Sequence, residues 1–175
     1  RIYQWEVWMS LEQKINNLET DLHIMGTLVL ESLVSAVRAL EDKDIAKASV
    51  VIDKDDEIDD AYMKIDQDWF ELMATEQPVA SDLRLSTSIL QASLHLERLG
   101  DLSVYLGKTT HEIHDLPIPE SLHKIVVEMG DMVIDMASSA LESLKNRDAE
   151  LALSTARKDE LINSLYNKML NEVPN

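Results

Sequence analysis

Residues 77–101 read QPVASDLRLSTSILQASLHLERLGD, a proline turn that leads into an amphipathic helix. Pro78 breaks the preceding helix because it has no N–H to donate and its ring restricts the residue before it. Ser81 or Asp82 can cap the helix that follows. The apolar residues recur at steps of four and three, at Leu85, Ile89, Ala92, Leu96 and Leu99. This spacing places them on one side of a helix, so helix 3 is predicted from about Ser81 to His114.

Four further segments carry the same helical spacing. Two precede the proline turn and two follow it, and their predicted bounds are Ser10–Glu41, Asp44–Thr75, Glu120–Lys145 and Asp148–Asn171. Ser10 is a suitable N-cap for the first segment, and residues 116–119, LPIP, form the clearest break in the chain. Five amphipathic helices joined by short polar turns predict an all-α fold, an antiparallel helical bundle.

Helices 4 and 5 repeat helices 1 and 2. A shift of 104 residues carries the Met-Gly pair at 25–26 onto the Met-Gly pair at 129–130. The same shift aligns further identical residues without a gap, among them Leu40 with Leu144, Ala48 with Ala152, Ile58 with Ile162 and Tyr62 with Tyr166. A constant offset over two helices and their turn indicates an internal duplication.

The duplication predicts the domain organisation. A first three-helix repeat is expected over residues 10–115, and a second repeat of only two helices over residues 120–175. The counterpart of helix 3 would fall beyond Asn175. Residues 1–9 are treated as an N-terminal extension outside this fold.

The second repeat carries apolar stripes that two helices alone cannot cover. They comprise Val126, Met129, Val133, Met136 and Ala140 on one helix, and Ile162, Tyr166, Met169 and Val173 on the other. Such a surface exceeds what soluble monomers usually expose. A second copy in a two-fold homodimer is the favoured cover. The first repeat and the N-terminal extension, which carries Trp5 and Trp8, are the alternatives.

The chain is strongly acidic and contains no cysteine. Its 175 residues include 33 Asp and Glu against 16 Lys and Arg, a formal net charge of −17 at pH 7. Such a surface repels nucleic acid and anionic membranes, so neither is a predicted partner. The composition excludes disulfides and thiolate metal sites. The sequence has no uninterrupted run of about 18 apolar residues, so membrane insertion is not predicted.

Two acidic pairs lie on neighbouring predicted helices. Glu97 and Asp101 are four residues apart, as are Asp55 and Asp59, so each pair shares one helix face. Asp55 also interrupts the apolar stripe of helix 2, where an unpaired buried carboxylate would be costly. Antiparallel packing can bring the four together as oxygen ligands suited to Mg²⁺, Ca²⁺, Mn²⁺ or iron. A solvated acidic helix face is the plainer interpretation of the same spacing.

The second repeat carries a weaker counterpart of these ligands. The shift of 104 residues carries Asp55 to Asp159 and Asp59 to Asn163. Asp159 again interrupts an apolar stripe, while Asn163 keeps an oxygen ligand but loses the charge. We therefore predict a second, weaker metal site at Asp159 and Asn163.

Residues 77–84, QPVASDLR, and 96–101, LERLGD, resemble the PhoU family of bacterial phosphate-uptake regulators. The resemblance extends from about Leu11 to the end of the chain. It implies a pair of three-helix bundles, of which this chain would lack the sixth helix. It also implies E/D-x-x-x-D motifs that bind metal clusters in some members, which adds zinc to the metals named above and supports iron.

The resemblance further implies a function. Family members are non-enzymatic cytoplasmic regulators that restrain phosphate uptake and phosphate-dependent signalling. They act between the phosphate ABC transporter and its partner sensor histidine kinase. The predicted function is therefore that of a metal-binding adaptor and negative regulator.

A carboxylate-bridged metalloprotein, either a metal store or an oxidase-like enzyme, is the alternative function. Such bundles use paired Glu-x-x-His motifs. The single instance here, Glu120 and His123, is explained by a capping turn at a helix start. His111 and His114 can share a helix face, but their place at a helix end favours a surface interpretation. A helical scaffold without a ligand is a third possibility, and no catalytic residue is predicted.

Overall fold

The computed structural model describes residues 9–172, and every regular element among them is an α-helix. The bounds in chain order are α1 Leu11–Asp42, α2 Ile45–Asp53, α3 Asp55–Glu76, α4 Ala80–Ile113, α5 Glu120–Asn146, α6 Ala149–Arg157 and α7 Asp159–Glu172. The predicted all-α fold is confirmed. The N-terminal extension up to residue 8 and the stripe residue Val173 lie outside the described residues.

Two predicted helices are each divided in two, so the predicted continuous helices over Asp44–Thr75 and Asp148–Asn171 are wrong. Lys54 separates α2 from α3, and Lys158 separates α6 from α7. The shift of 104 residues relates the two breaks, so the interruption belongs to the repeat. The apolar stripes resume in phase after Asp55 and Asp159, the residues that interrupt them, so the interruption was interpreted as a buried acid and not as a helix break.

Charge explains the position of the first break. The break makes Asp55 the first residue of α3, with Asp56 and Glu57 in the same turn. The positive end of the helix dipole favours carboxylates in a first turn. The break also ends α2 at Asp53, so this carboxylate and the acidic run belong to different helices. The break therefore places this acidic run where a helix tolerates it best.

Side-chain caps begin three of the helices. Ser10 caps α1 as predicted, since its Oγ accepts a hydrogen bond from the Gln13 N–H at 3.2 Å. The Gln13 side chain in turn accepts from the Ser10 N–H at 2.9 Å, which completes a capping box. Asp44 caps α2 and Asp148 caps α6 through their carboxylates. These two caps are again 104 residues apart.

The start of α4 differs from the prediction. Neither Ser81 nor Asp82 is its cap, because the helix begins at Ala80 and the N-cap is Val79, which makes no side-chain hydrogen bond. Val79 is extended, whereas Ala80 has a left-handed φ of 49°. The N-cap therefore lies two residues before Ser81 and three before Asp82, and both predicted cap residues are inside the helix.

Helix α1 is the central element of the fold. It packs against α2, α3, α4 and α5. Its buried apolar residues form one core with Ile58, Ile65 and Leu72 of α3 and with Ile89 and Leu96 of α4. By contrast, α6 and α7 pack on α5 and on each other, and among the described residues α1 and α5 are the pair that joins the two groups of helices.

The apolar character of α1 qualifies the hydropathy prediction. By length and composition, this helix is apolar enough to cross a membrane, although it contains no uninterrupted apolar run. Many of its apolar side chains are buried, with Met25 and Val29 both 0% exposed, whereas Ile24 and Val34 are exposed. Contacts with four other helices therefore account for much of the hydropathy of α1.

Helices α1 and α5 contact each other through the same kind of glycine contact at two places. A Cβ atom at Gly26 would lie 2.8 Å from Leu141 Cδ2, and one at Gly130 would lie 2.8 Å from Val37 Cγ2. The shift of 104 residues carries Gly26 onto Gly130 and Val37 onto Leu141. The helices therefore cross antiparallel with a glycine from each against an aliphatic side chain of the other.

Close packing also positions α4. A Cβ atom at Gly100 would lie 3.1 Å from Ile58 Cδ1 of α3, and one at Gly107 would lie 3.1 Å from the Ala48 carbonyl oxygen of α2. Small residues seven apart thus let α4 approach both halves of the broken helix. This approach places the acidic residues of α3 and α4 next to each other.

The two kinds of glycine contact predict different outcomes for the same substitution. Alanine in a helix is worth about 1 kcal/mol over glycine. In Gly107→Ala the added methyl meets a backbone carbonyl that cannot rotate away, so overpacking of about 1–3 kcal/mol should outweigh the gain. In Gly26→Ala the obstacle is the mobile end of Leu141, and stability should stay within about 0.5 kcal/mol of the parent. Urea denaturation measures both, and equal losses would contradict this account.

Candidate functional site

Four carboxylates flank the contact between α3 and α4. Asp55 and Asp59 lie on the first turns of α3, and Glu97 and Asp101 lie on either side of Gly100 on α4. Ile58 packs against Gly100 between the two pairs. Asp101 is exposed, and the other three are half-buried. The structure thus brings the predicted acidic pairs to one edge of the bundle.

The electrostatics of Asp55 link the two helices. Burial raises the pKa of the Asp55 carboxyl above its ordinary value, and the negative charges of Asp59 and Asp101 raise it further. Lys108, two turns beyond Asp101 on α4, opposes this rise. The spacing of seven between Asp101 and Lys108 places both on one face of α4, and this spacing is the sequence signal for the lysine.

Glu97, on α4, lies in the same negative electrostatic field. Burial again raises the pKa of the Glu97 carboxyl, and the charges of Asp101, Asp59 and then Asp55 add to the rise. The charge of Arg98 lowers this pKa and offsets part of the effect. Asp55 and Glu97 therefore each respond to charges on both helices, so the four carboxylates form one electrostatic unit.

The donor chemistry fits a hard cation, but the side chains do not converge on one point. Carboxylate oxygens are the ligands that Mg²⁺, Mn²⁺ and iron accept, and a cation would relieve the repulsion that raises the pKa of Asp55 and Glu97. Within residues 9–172, however, no group of three or more acidic or histidine side chains lies close enough together to hold a metal ion. The unit is an acidic surface with a shared field.

The predicted second site is organised differently. The Asn163 amide donates a hydrogen bond to Asp159 Oδ2 at 3.0 Å, so these two side chains form a hydrogen-bonded pair. Both are exposed. Asp159 and Asn163 are far along the chain from the first set and belong to α7, which does not pack on α3 or α4. They form a separate polar pair.

An apolar groove runs along the second repeat. It has a volume of about 490 Å³ and is lined from α5, α6, α7 and the edge of α4 by Leu99, Val133, Met136, Ala137, Ala140, Ser143, Ala152, Thr155, Ala156, Asp159 and Ile162. The stripe residues Val133, Met136, Ala140 and Ile162 predicted an uncovered surface here. Periodicity did not single out Thr155, which is 5% exposed and whose Oγ1 has no hydrogen-bond partner among the described residues.

The histidines do not form a metal site. His123 Nε2 lies 3.0 Å from the Leu40 carbonyl oxygen at the end of α1, and Glu120 does not share that contact. His111 Nε2 lies 3.0 Å from Ser49 Oγ, whereas His114 pairs with Asp115. Each of these three histidines thus has its own partner.

Comparison with known proteins identifies relatives over both repeats. The sequence profile of the PhoU domain matches residues 22–110 and 126–174. A phosphate-specific transport system accessory protein PhoU homolog from Clostridium acetobutylicum is 33% identical over 168 residues, which cover 94% of this chain and 75% of that protein.

Two crystal structures are similar to this fold. PhoU from Pseudomonas aeruginosa superposes with a TM-score of 0.89 at 31% identity, covering 93% of this chain and 78% of the other. The phosphate transport system regulatory protein PhoU from Streptococcus pneumoniae superposes with a TM-score of 0.84 at 29% identity, covering 91% and 75%. The similarity therefore includes the arrangement of the helices.

The shared field of the carboxylates predicts a pH dependence. Because the pKa of Asp55 and of Glu97 is raised in the folded chain, the folded state binds more protons than the unfolded state just above about pH 4. The stability from these protons is present below the unfolded pKa and is lost as pH rises through the folded pKa. The variant Asp55→Asn/Glu97→Gln should lose this dependence and gain about 0.5 kcal/mol at pH 7, since the groups are partly solvated.

Thermal unfolding between pH 4 and pH 7 measures the effect. The control is Asp60→Asn/Asp66→Asn, which removes the same charge from exposed positions on α3 outside the cluster. Parallel pH profiles for the two double variants would contradict a local origin.

Proposed function

Because this chain belongs to the PhoU domain family, we propose that it is an accessory regulator of a phosphate-specific transport system. The observation that carries this proposal is the agreement of sequence and fold over both repeats with a solved PhoU structure, at a TM-score of 0.89. The family is a regulatory one, and the function proposed is regulation without turnover.

The finer parts of the proposal concern location and partners. We place the protein in the cytoplasm, between the phosphate ABC transporter and a sensor histidine kinase, as a negative regulator. The net charge of −17 supports partners with basic surfaces and disfavours nucleic acid. Association into a homodimer remains a prediction from the apolar stripes of the second repeat.

Metal binding is proposed at the acidic unit on α3 and α4. Asp55, Asp59, Glu97 and Asp101 would hold the ion through carboxylate oxygens. Zinc, iron, magnesium and manganese remain the proposed ions. A bound cation would supply positive charge that offsets the mutual repulsion of these groups. The polar pair Asp159 and Asn163 would bind more weakly, because its single carboxylate already accepts a hydrogen bond from the amide.

The alternative of a carboxylate-bridged metalloenzyme receives no support from the site. Such bundles place histidine ligands beside their carboxylates, and the half-buried carboxylates on α3 and α4 have other carboxylates, Arg98 and Lys108 as their charged neighbours. We therefore propose a structural or sensing role for the metal.

Removing one acidic pair should abolish metal binding. Calorimetric titration of the metal-free chain with Mg²⁺, Mn²⁺, Zn²⁺ and Fe³⁺ is expected to detect binding in the parent and none in Glu97→Ala/Asp101→Ala, because half of the ligands are gone. The metal-free variant should be at least as stable as the parent, since repulsion is relieved. The charge-matched control Asp60→Ala/Asp66→Ala should bind normally. Undiminished uptake by the first variant would refute the ligand assignment.

The regulatory proposal predicts a phenotype. Deleting the gene for this chain in its host should derepress the phosphate-uptake genes during growth in rich phosphate, and a plasmid copy should restore repression. Transcript levels of the uptake genes provide the measurement. Repression that persists without the gene would count against the proposed function, whatever the outcome of the metal titration.

A further inference from the structure

The outer face of α3 exposes apolar side chains to solvent. Six exposed residues follow steps of four and three along this helix, namely Asp56, Asp60, Met63, Gln67, Phe70 and Ala74. This spacing places them on one face, opposite the core residues Ile58, Ile65 and Leu72. Met63 is 65% exposed, and Phe70, the single phenylalanine of the chain, is 69% exposed. Helix α3 therefore has a second apolar strip on the side away from the core.

Met63 and Phe70 belong to one contact surface. They lie seven residues apart, so about two helical turns separate them on the same face. Single exposed apolar side chains are common on soluble proteins, whereas apolar side chains aligned on one face are typical of interaction sites. Methionine and aromatic residues are also enriched where proteins bind each other. The strip thus has the composition of the centre of an interface.

The internal repeat shows that the fold does not require this strip. The shift of 104 residues carries the core residue Ile58 onto Ile162, so the inward stripe is apolar in both repeats. The same shift carries Met63 onto Asn167, a polar residue that is exposed on α7. A requirement of helix packing would act on both copies of the helix. The outward methionine is specific to the first repeat, so a contact made by the first repeat alone accounts for it.

Acidic side chains border the strip. Helix α3 contains nine acidic residues and one lysine, and this lysine, Lys64, forms ion pairs with Asp21 and with Asp68. Asp60 and Asp66 are exposed and lie three residues before and three residues after Met63, so they are on either side of it. Complementary charge selects partners at the rim of an interface. The partner that fits this strip therefore carries Lys and Arg beside its own apolar residues.

We propose that the outer face of α3 binds a basic amphipathic helix of a partner protein. The apolar stripe of that helix would pack on Met63 and Phe70, and its Lys and Arg side chains would pair with Asp60 and Asp66. Apolar residues with helical spacing match a straight strip of two helical turns. This inference rests on the surface of α3 and does not depend on the proposed function or on the metal ligands.

The charge of this face disfavours a second copy of the chain as the occupant. In a two-fold dimer the same patch faces itself, so Asp60 and Asp66 would lie opposite carboxylates of their own kind. Like charges placed opposite each other across an interface are costly. A separate protein with a basic helix satisfies both the apolar part and the charged part of the surface.

A synthetic helix of leucine and lysine, about 18 residues long with its leucines on one face, is the probe. It is labelled with a fluorophore and added to the full chain in about 150 mM salt, which screens long-range attraction. Fluorescence anisotropy should report a Kd below about 10 µM. Met63→Gln/Phe70→Gln should weaken binding at least about tenfold, because the apolar strip is removed. Both positions are exposed and glutamine favours helix, so the fold should be retained, which circular dichroism checks.

Matched controls separate the strip from general effects. Leu102→Gln/Tyr105→Gln removes two exposed apolar side chains from α4 and should bind like the parent. Asp60→Asn/Asp66→Asn should weaken binding at least about threefold, whereas Glu150→Gln/Glu160→Gln removes the same charge from exposed positions on α6 and α7 and should not. A peptide of the same composition, with its leucines spread around the helix, should bind the parent at least about tenfold more weakly.

Three outcomes would overturn the proposal. The first is absence of binding by the amphipathic peptide, or equal losses in the paired variants of α3 and α4. The second is binding that survives Met63→Gln/Phe70→Gln, which would assign the peptide to another surface such as the apolar groove of the second repeat. The third is light scattering that shows a dimer converted to a monomer by Met63→Gln/Phe70→Gln, which would assign the face to a second copy.

Discussion

The burial of α1 is the constraint on which the rest of the structure depends. This helix is apolar around much of its circumference, so it must be covered by several neighbours at once, and α2, α3, α4 and α5 each take a share. Glycines on α1, α4 and α5 shorten the distances between these helices. This packing determines the position of α4. It therefore also determines the position of the acidic unit, the acidic edge formed by Asp55, Asp59, Glu97 and Asp101.

The acidic edge shows how helix geometry and charge act together. The break at Lys54 moves an acidic run to the start of α3, where the helix dipole offsets part of its charge. The close contact of Ile58 with Gly100 then brings Glu97 and Asp101 alongside Asp55 and Asp59. Burial raises the pKa of Asp55 and of Glu97, and the proximity of the other carboxylates raises both further. A surface that repels itself in this way favours cations or basic partners.

Much of this could be predicted from the sequence, for reasons that differ by element. The apolar period of α1 and the N-cap residue Ser10 are local signals, and both predicted the observed helix. The breaks at Lys54 and Lys158 were missed because the apolar stripes resume in phase after the single interruptions at Asp55 and Asp159. The start of α4 at Ala80 depends on a left-handed backbone conformation, which cannot be predicted from an alanine in the sequence. The unpartnered hydroxyl of Thr155 depends on which atoms surround it in three dimensions, and no spacing rule reports that.

The doubled contact between α1 and α5 has an evolutionary meaning. Because Gly26 meets Leu141 as Gly130 meets Val37, the interface is self-complementary, which is the property of a patch that pairs with its own copy. A single ancestral repeat could therefore have assembled with itself through this same helix before the gene was doubled. Joining two such repeats in one chain makes their contact intramolecular, so that it does not depend on concentration. The two halves are not identical, since Asp59 of the first repeat corresponds to Asn163 of the second and Val51 corresponds to Thr155.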